Sequence, residues 1–187
     1  MHIMTRLSLA VGLLLGLPLA ATGQPLDELP ARKPGYWEIR MVTEKPAGAP
    51  EIVSHVCIDP ATDREIMEFG LRMSRKGCKR YEMKRQGKAL VIDAECKMGP
   101  MKTVTHTTMS GDFQSSYSVR MEGTTDGGIL AGNKGPQPML MTQSAKWAAA
   151  ACPAGMTPGD ISMGNGVKFN VKQLKGLQKL LPQLHIN

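Results

Sequence analysis

Cys57, Cys78, Cys96 and Cys152 are the residues of this chain best suited to covalent chemistry. An even number of cysteines with no close C-x-x-C pair favours disulfides in an oxidising compartment over a zinc site. Four cysteines allow three pairings. Cys78 and Cys96 bracket two strand-like runs with Gln86-Gly87 at their midpoint, which reads as a β-hairpin closed by its own disulfide.

The other reactive residue types give little. His55 shares a strand face with Cys57, which sketches half a metal site, but an oxidised Cys57 is no ligand. His106 stands among threonines on a solvated face, and His185 lies close to the C-terminus. Asp93 and Glu95 share one strand face; such a pair on an exposed strand normally serves solvation, and nothing marks an acid–base couple. There is no Gly-x-Ser-x-Gly elbow and no Ser/His/Asp set. Gly123-Thr-Thr-Asp-Gly-Gly128 follows a strand without opening a helix, so a phosphate loop is not expected. These residues predict a chain with no enzymatic activity and no cofactor. Methionine is the compositional oddity, with 14 in the chain. Met98 and Met101, with Met139 and Met141, offer soft thioether ligands for Cu(I). The plainer account is core filling in place of aromatics, which make up only 4% of the chain.

Strands position most of these side chains. Gly35 to Lys45 alternates, with Trp37, Ile39, Met41 and Thr43 on one face and Tyr36, Glu38, Arg40 and Val42 on the other. Pro46 to Pro50 reads as a turn and Glu51 to Ile58 as the return strand. Asp59-Pro60 predicts a helix start, with Ile66 and Phe69 on its buried side and Gly70 as its stop. Pairing Cys78 directly with Cys96 places Gly87 in a three-residue loop, but it sets Tyr81 and Met83 on the face opposite Leu90 and Ile92. A bulge near Lys79 or near the turn reconciles the bridge with a one-sided apolar face. Gly99-Pro100 is a turn, and Met101 to Met109 with Phe113 to Glu122 reads as a hairpin in which Met109 faces Phe113. Gly123 to Pro138 reads as an irregular loop, and Met139 to Trp147 resumes strand alternation with Met139, Met141, Ala145 and Trp147 together. The expected fold is mainly β: a curved antiparallel meander or partial barrel with one short helix and a C-terminal amphipathic helix.

The ends of the chain differ from its middle. Arg6, the apolar run Leu7 to Ala21, and small residues at Ala20, Ala21 and Gly23 predict a cleaved signal peptide over 1–23. That run is shorter than the roughly 20 residues a spanning helix needs, and no lipoprotein cysteine follows it. Residues 24–34 read as a flexible lead-in, 35–152 as one disulfide-stapled β domain, and 153–187 as a linker and basic amphipathic helix. In the last segment Val171, Leu174, Leu177, Leu181 and Leu184 form the apolar stripe, interrupted by Pro182. Lys168, Lys172, Lys175 and Lys179 supply charge. A net charge of +7 favours anionic surfaces such as lipid headgroups or envelope polymers, while nucleic acid does not suit an exported chain.

Lys33-Pro-Gly-Tyr-Trp-Glu38, Cys57-Ile-Asp-Pro60, the Cys78 to Cys96 hairpin, Gly111-Asp-Phe113 and Cys152 follow one another in order over roughly residues 33 to 152. In that combination the chain resembles the domain of unknown function 3617 family, small exported proteins of Gram-negative bacteria. The resemblance implies an antiparallel β domain with no assigned activity and no site residues to carry over. It also supports the Cys78–Cys96 bridge and leaves Cys57 with Cys152. The resulting expectation is a soluble periplasmic protein that holds an apolar or amphipathic ligand or docks to an envelope component. The alternatives are docking to membrane or a protein partner through the basic C-terminal helix, and Cu(I) handling.

Overall fold

The computed structural model describes residues 29–75, 77–127 and 135–173. Strands β1 (Gly35–Lys45) and β2 (Ile52–Ile58) form the first hairpin, and helix α1 (Pro60–Arg75) follows. Five strands then run as a meander: β3 (Cys78–Gln86), β4 (Ala89–Met98), β5 (Met101–Gly111), β6 (Ser116–Asp126) and β7 (Gln137–Ala149). β8 (Asp160–Met163) and β9 (Lys168–Asn170) complete one antiparallel sheet in the order β3-β4-β5-β6-β7-β1-β2-β8-β9. This is the curved antiparallel meander that the alternation predicts, open and not closed into a barrel. Its edges are β3, blunted by a bulge and by lysines and arginines, and the three-residue β9.

The sheet is bent toward α1. Six strand spacings separate β2 from β3, about 29 Å across a flat sheet, before any offset along the strands is added. The helix joining them has 16 residues and is about 24 Å long. We assign the concave side of the curved sheet to the face carrying α1, because the helix is held against it at both ends. Ile66 packs on the core cluster of Trp37, Val56, Ile58, Phe113, Tyr117 and Ala145. At the other end of the helix, the Arg75 guanidinium lies 5.5 Å from the centre of the Tyr81 ring.

Local chemistry explains where the elements begin and end. Asp59 caps α1 by accepting the Thr62 N–H at 2.7 Å, while the Thr62 hydroxyl accepts the Asp59 N–H at 2.9 Å. Gly70 does not stop the helix, which continues to Arg75. It is exposed and costs about 1 kcal/mol of helix propensity, which packing at both helix ends outweighs. In the β3–β4 hairpin Cys78 faces Cys96, the bulge falls at Lys79, and Arg80 onward pairs one step out of that register. This brings Tyr81 and Met83 onto the face of Leu90 and Ile92. The turn holds two residues, Gly87 and Lys88, where three were expected, and Gly87 takes φ 59°.

Two boundaries fall elsewhere than the sequence predicts. Met109 faces Val119, not Phe113. The Asp112 carboxylate accepts the N–H groups of Gln114, Ser115 and Ser116 and the Ser115 hydroxyl, folding residues 112–115 into a loop. Those bonds hold the Asp112 carboxyl well below the usual carboxylate range, the Ser115 hydroxyl foremost. Phe113, at φ 56°, turns its ring into the core. The slip spans an even number of positions, so every side chain keeps its expected face. Gly123 to Asp126 belong to β6 and not to a loop. A Cβ at Gly123 would overlap the Val104 carbonyl oxygen, so only glycine allows the backbones this close at the bend.

The sheet also runs past the expected domain edge at Cys152, because β8 pairs with β2 and β9 with β8. Asn170 then opens a helical turn: it accepts the Lys172 N–H and its own N–H donates to Gln173 Oε1. The rest of the expected C-terminal helix, the signal peptide and Gly128 lie outside the described residues.

Candidate functional site

Strand alternation and the registers place one set of side chains along the whole concave face. Across β4 and β5, Leu90 faces Met109 and Ile92 faces Thr107; across β6 and β7, Met121 faces Met141 and Gly123 faces Met139. Met83 on β3, Met101 on β5, Met41 on β1 and Met163 on β8 fall on the same face. No strand contributes a carboxylate to these rows. Away from the buried cluster these methionines are only half-buried. Beneath α1 they make an apolar surface rich in unbranched thioether, which adapts its shape to what it meets.

One end of this surface is covered by residues 31–34, a segment the sequence reads as flexible. Lys33 N–H donates to the Phe113 carbonyl, and the Trp37 and Trp147 indoles donate to the Lys33 and Pro34 carbonyls. The Lys33 ammonium sits 3.6 Å from the centre of the Trp147 ring. Arg32 is only 5% exposed and Asp63 on α1 only 4%. Arg32 donates to Asp63 through its backbone N–H at 2.9 Å and through Nε at 2.7 Å. Its Nη1 donates to the Tyr117 hydroxyl oxygen at 3.3 Å, while its buried Nη2 has no hydrogen-bond partner.

The convex face is charged and largely self-neutralised. Asp93 meets His106 Nδ1 at 2.8 Å and Lys84 at 3.7 Å, and Glu95 meets Lys79 at 2.9 Å. The hydrogen bond from His106 holds the Asp93 carboxyl below its ordinary value. Asp93 and Glu95 therefore each serve an exposed ion pair. A shallow recess of about 280 Å³ over Asp93, Val104, His106 and Glu122 is lined by these groups, and Val104 there is 55% exposed.

The other sequence candidates separate. Cys57 is bonded to Cys152 and Cys78 to Cys96, so neither pair offers a thiolate. His55 stacks on Tyr36, with ring centres 5.3 Å apart, and Glu38 stands 3.6 Å from its Nε2. Met98 faces Met101 on β4 and β5, whereas Met139 and Met141 lie on β7, beyond β6. Two strand spacings, about 10 Å, and four positions along the strands, about 13 Å, separate Met101 from Met139, farther than two thioethers on one Cu(I) span. Among the described residues, no three His, Cys, Asp or Glu side chains are grouped to hold a metal. Sequence reasoning missed Arg32, Asp63 and Tyr117. Only the apolar neighbours of Arg32 and the Asp59-Pro60 helix start were available as signals.

The fold and its sites define a class: an open, disulfide-stapled antiparallel sheet bent around a helix, with an apolar concave face and a charged convex one. Two disulfides suit an oxidising, exported environment, and no described helix is long and apolar enough to cross a membrane. Residues 32–152 match the family described as protein of unknown function (DUF3617), and the chain belongs to that family. Comparison with curated proteins and with solved structures gives no match.

Proposed function

We propose that this chain is a periplasmic, non-enzymatic binding protein that holds an apolar or amphipathic ligand in the groove between α1 and the concave face. The observation that carries this reading is the run of half-buried methionines on that face, with no strand carboxylate among them. A core built only for stability packs such side chains fully, as it does Trp37, Ile58 and Leu90. Ligand sites of this type are concave and mostly apolar, with a few placed polar groups. Export through a cleaved signal peptide fits the two disulfides.

Native mass spectrometry of the protein purified from periplasm tests the reading. A co-purifying lipid-like mass, lost when a charge is placed on the groove floor, is the expected result. A spectrum of bare polypeptide alone, with no uptake of added apolar ligand, refutes it. Docking through the basic C-terminal segment is the second reading, favoured by the capped helical turn that opens at Val171. Removing residues 174–187 abolishes binding to anionic vesicles if it is right and leaves binding unchanged if it is wrong.

A further inference from the structure

The covered end of the groove holds a polar feature that its apolar lining does not explain. Arg32 has spent its backbone N–H and Nε on Asp63 and its Nη1 on Tyr117, and its Nη2 is buried without a partner. Tyr117 accepts from Arg32, and among the described residues no acceptor is recorded for the Tyr117 hydroxyl proton. The Nη1–hydroxyl bond, 3.3 Å long, holds the Tyr117 oxygen beside the guanidinium that carries the unspent Nη2. Buried donors are normally satisfied, because leaving one unmade forfeits its hydration without return. The site offers donors to an incoming acceptor.

Its electrostatics select the kind of acceptor. Asp63 already neutralises the guanidinium at 2.7 Å. An anion entering here would leave a net negative charge in a buried setting beside Asp63, which is strongly disfavoured. An uncharged oxygen with two lone pairs meets both donors without that penalty. Tyr117 stands on the concave face two positions from Val119, which faces Met109, so a molecule anchored here continues directly onto the methionine rows.

We propose that Arg32 and Tyr117 receive the neutral carbonyl of an acylated amphiphile, an ester or amide, whose chain lies along the methionines. The site therefore prefers an acyl ester to the corresponding ionised fatty acid. This rests on the groove reading given above.

Displacement of Nile red from the purified chain by 1-myristoylglycerol and by myristate, at mildly alkaline pH where the acid is ionised, tests it. The ester is expected to displace the dye at about tenfold lower concentration, the difference that one or two hydrogen bonds make. Arg32→Met breaks the buried ion pair and with it the fold, so Tyr117→Phe is the informative variant, since it keeps the ring that stacks on Phe113. It should weaken the ester about fivefold and leave myristate nearly unchanged. Myristate binding as tightly as the ester, or an unaltered ester affinity in Tyr117→Phe, overturns the anchor while leaving the groove reading intact. If neither Nile red nor either lipid binds, the groove reading falls and the anchor with it.

Discussion

Asp63→Ala should be among the most damaging single changes in this chain. Asp63 lies on α1 and is 4% exposed, and it accepts two hydrogen bonds from an Arg32 that is 5% exposed. Truncation leaves a buried guanidinium with only the Tyr117 oxygen at 3.3 Å as partner and frees a buried backbone N–H. Breaking one side of a buried pair costs about 3–5 kcal/mol, because the surviving charge stays desolvated. Replacing both partners with apolar residues removes that problem, so Arg32→Met/Asp63→Leu should recover most of the loss. Urea unfolding followed by tryptophan fluorescence suits the measurement, since Trp37 and Trp147 donate to carbonyls of the same strap. A loss under about 1 kcal/mol for Asp63→Ala would mean that water reaches the guanidinium and that the strap is not buried as described.

Asp112→Asn should change the acid response in one direction. The folded carboxyl is held below its ordinary value, so its contribution is complete above the unfolded range near pH 3.9 and drains as pH falls toward the lowered folded value. Acid titration should therefore show wild type ahead of the variant at neutral pH and the gap narrowing below about pH 4. Removing the Cys57–Cys152 bridge, which spans 95 residues, should cost about 4.7 kcal/mol in the chain-entropy account. Removing Cys78–Cys96, which spans 18, should cost about 3.2 kcal/mol; denaturant melts of the paired alanine variants check the order. Met121→Glu, on the concave face, should abolish Nile red binding, whereas Arg120→Gln on the convex face should leave it unchanged. Equal losses in the two variants would place the dye elsewhere.

Much of the fold was legible because it rests on alternation. The faces of β1, β5, β6 and β7 follow from which residues are apolar, and an even register slip at Asp112 leaves them intact. The Lys79 bulge was one of two solutions to a conflict between bridge and face, and the structure takes it. What the sequence hid was tertiary. Residues 31–34 look like a proline-bearing lead-in until the Phe113 loop and the two indoles are present to receive their carbonyls and N–H groups. The copper candidates come as two close pairs, Met98 with Met101 and Met139 with Met141, but β6 lies between the pairs, and only the strand order shows that. The residues on which the family resemblance was read converge at one end of the sheet: Trp37 and Ile58 lie in the cluster with Phe113, and Asp59 caps the helix that covers it.

The position of β1 between β7 and β2 imposes an order on assembly. A chain made from its N-terminus presents the β1–β2 hairpin long before Trp147 exists to lie beside Trp37. The meander from β3 to β7, whose pairings are all between sequence neighbours, can form first, and the waiting hairpin then docks on its last strand. During that interval Cys57 is a free thiol whose first available partners are Cys78 and Cys96, not Cys152. Rapid closure of the local Cys78–Cys96 hairpin withdraws both competitors. The small bridge thereby acts as a proofreading device for the large one.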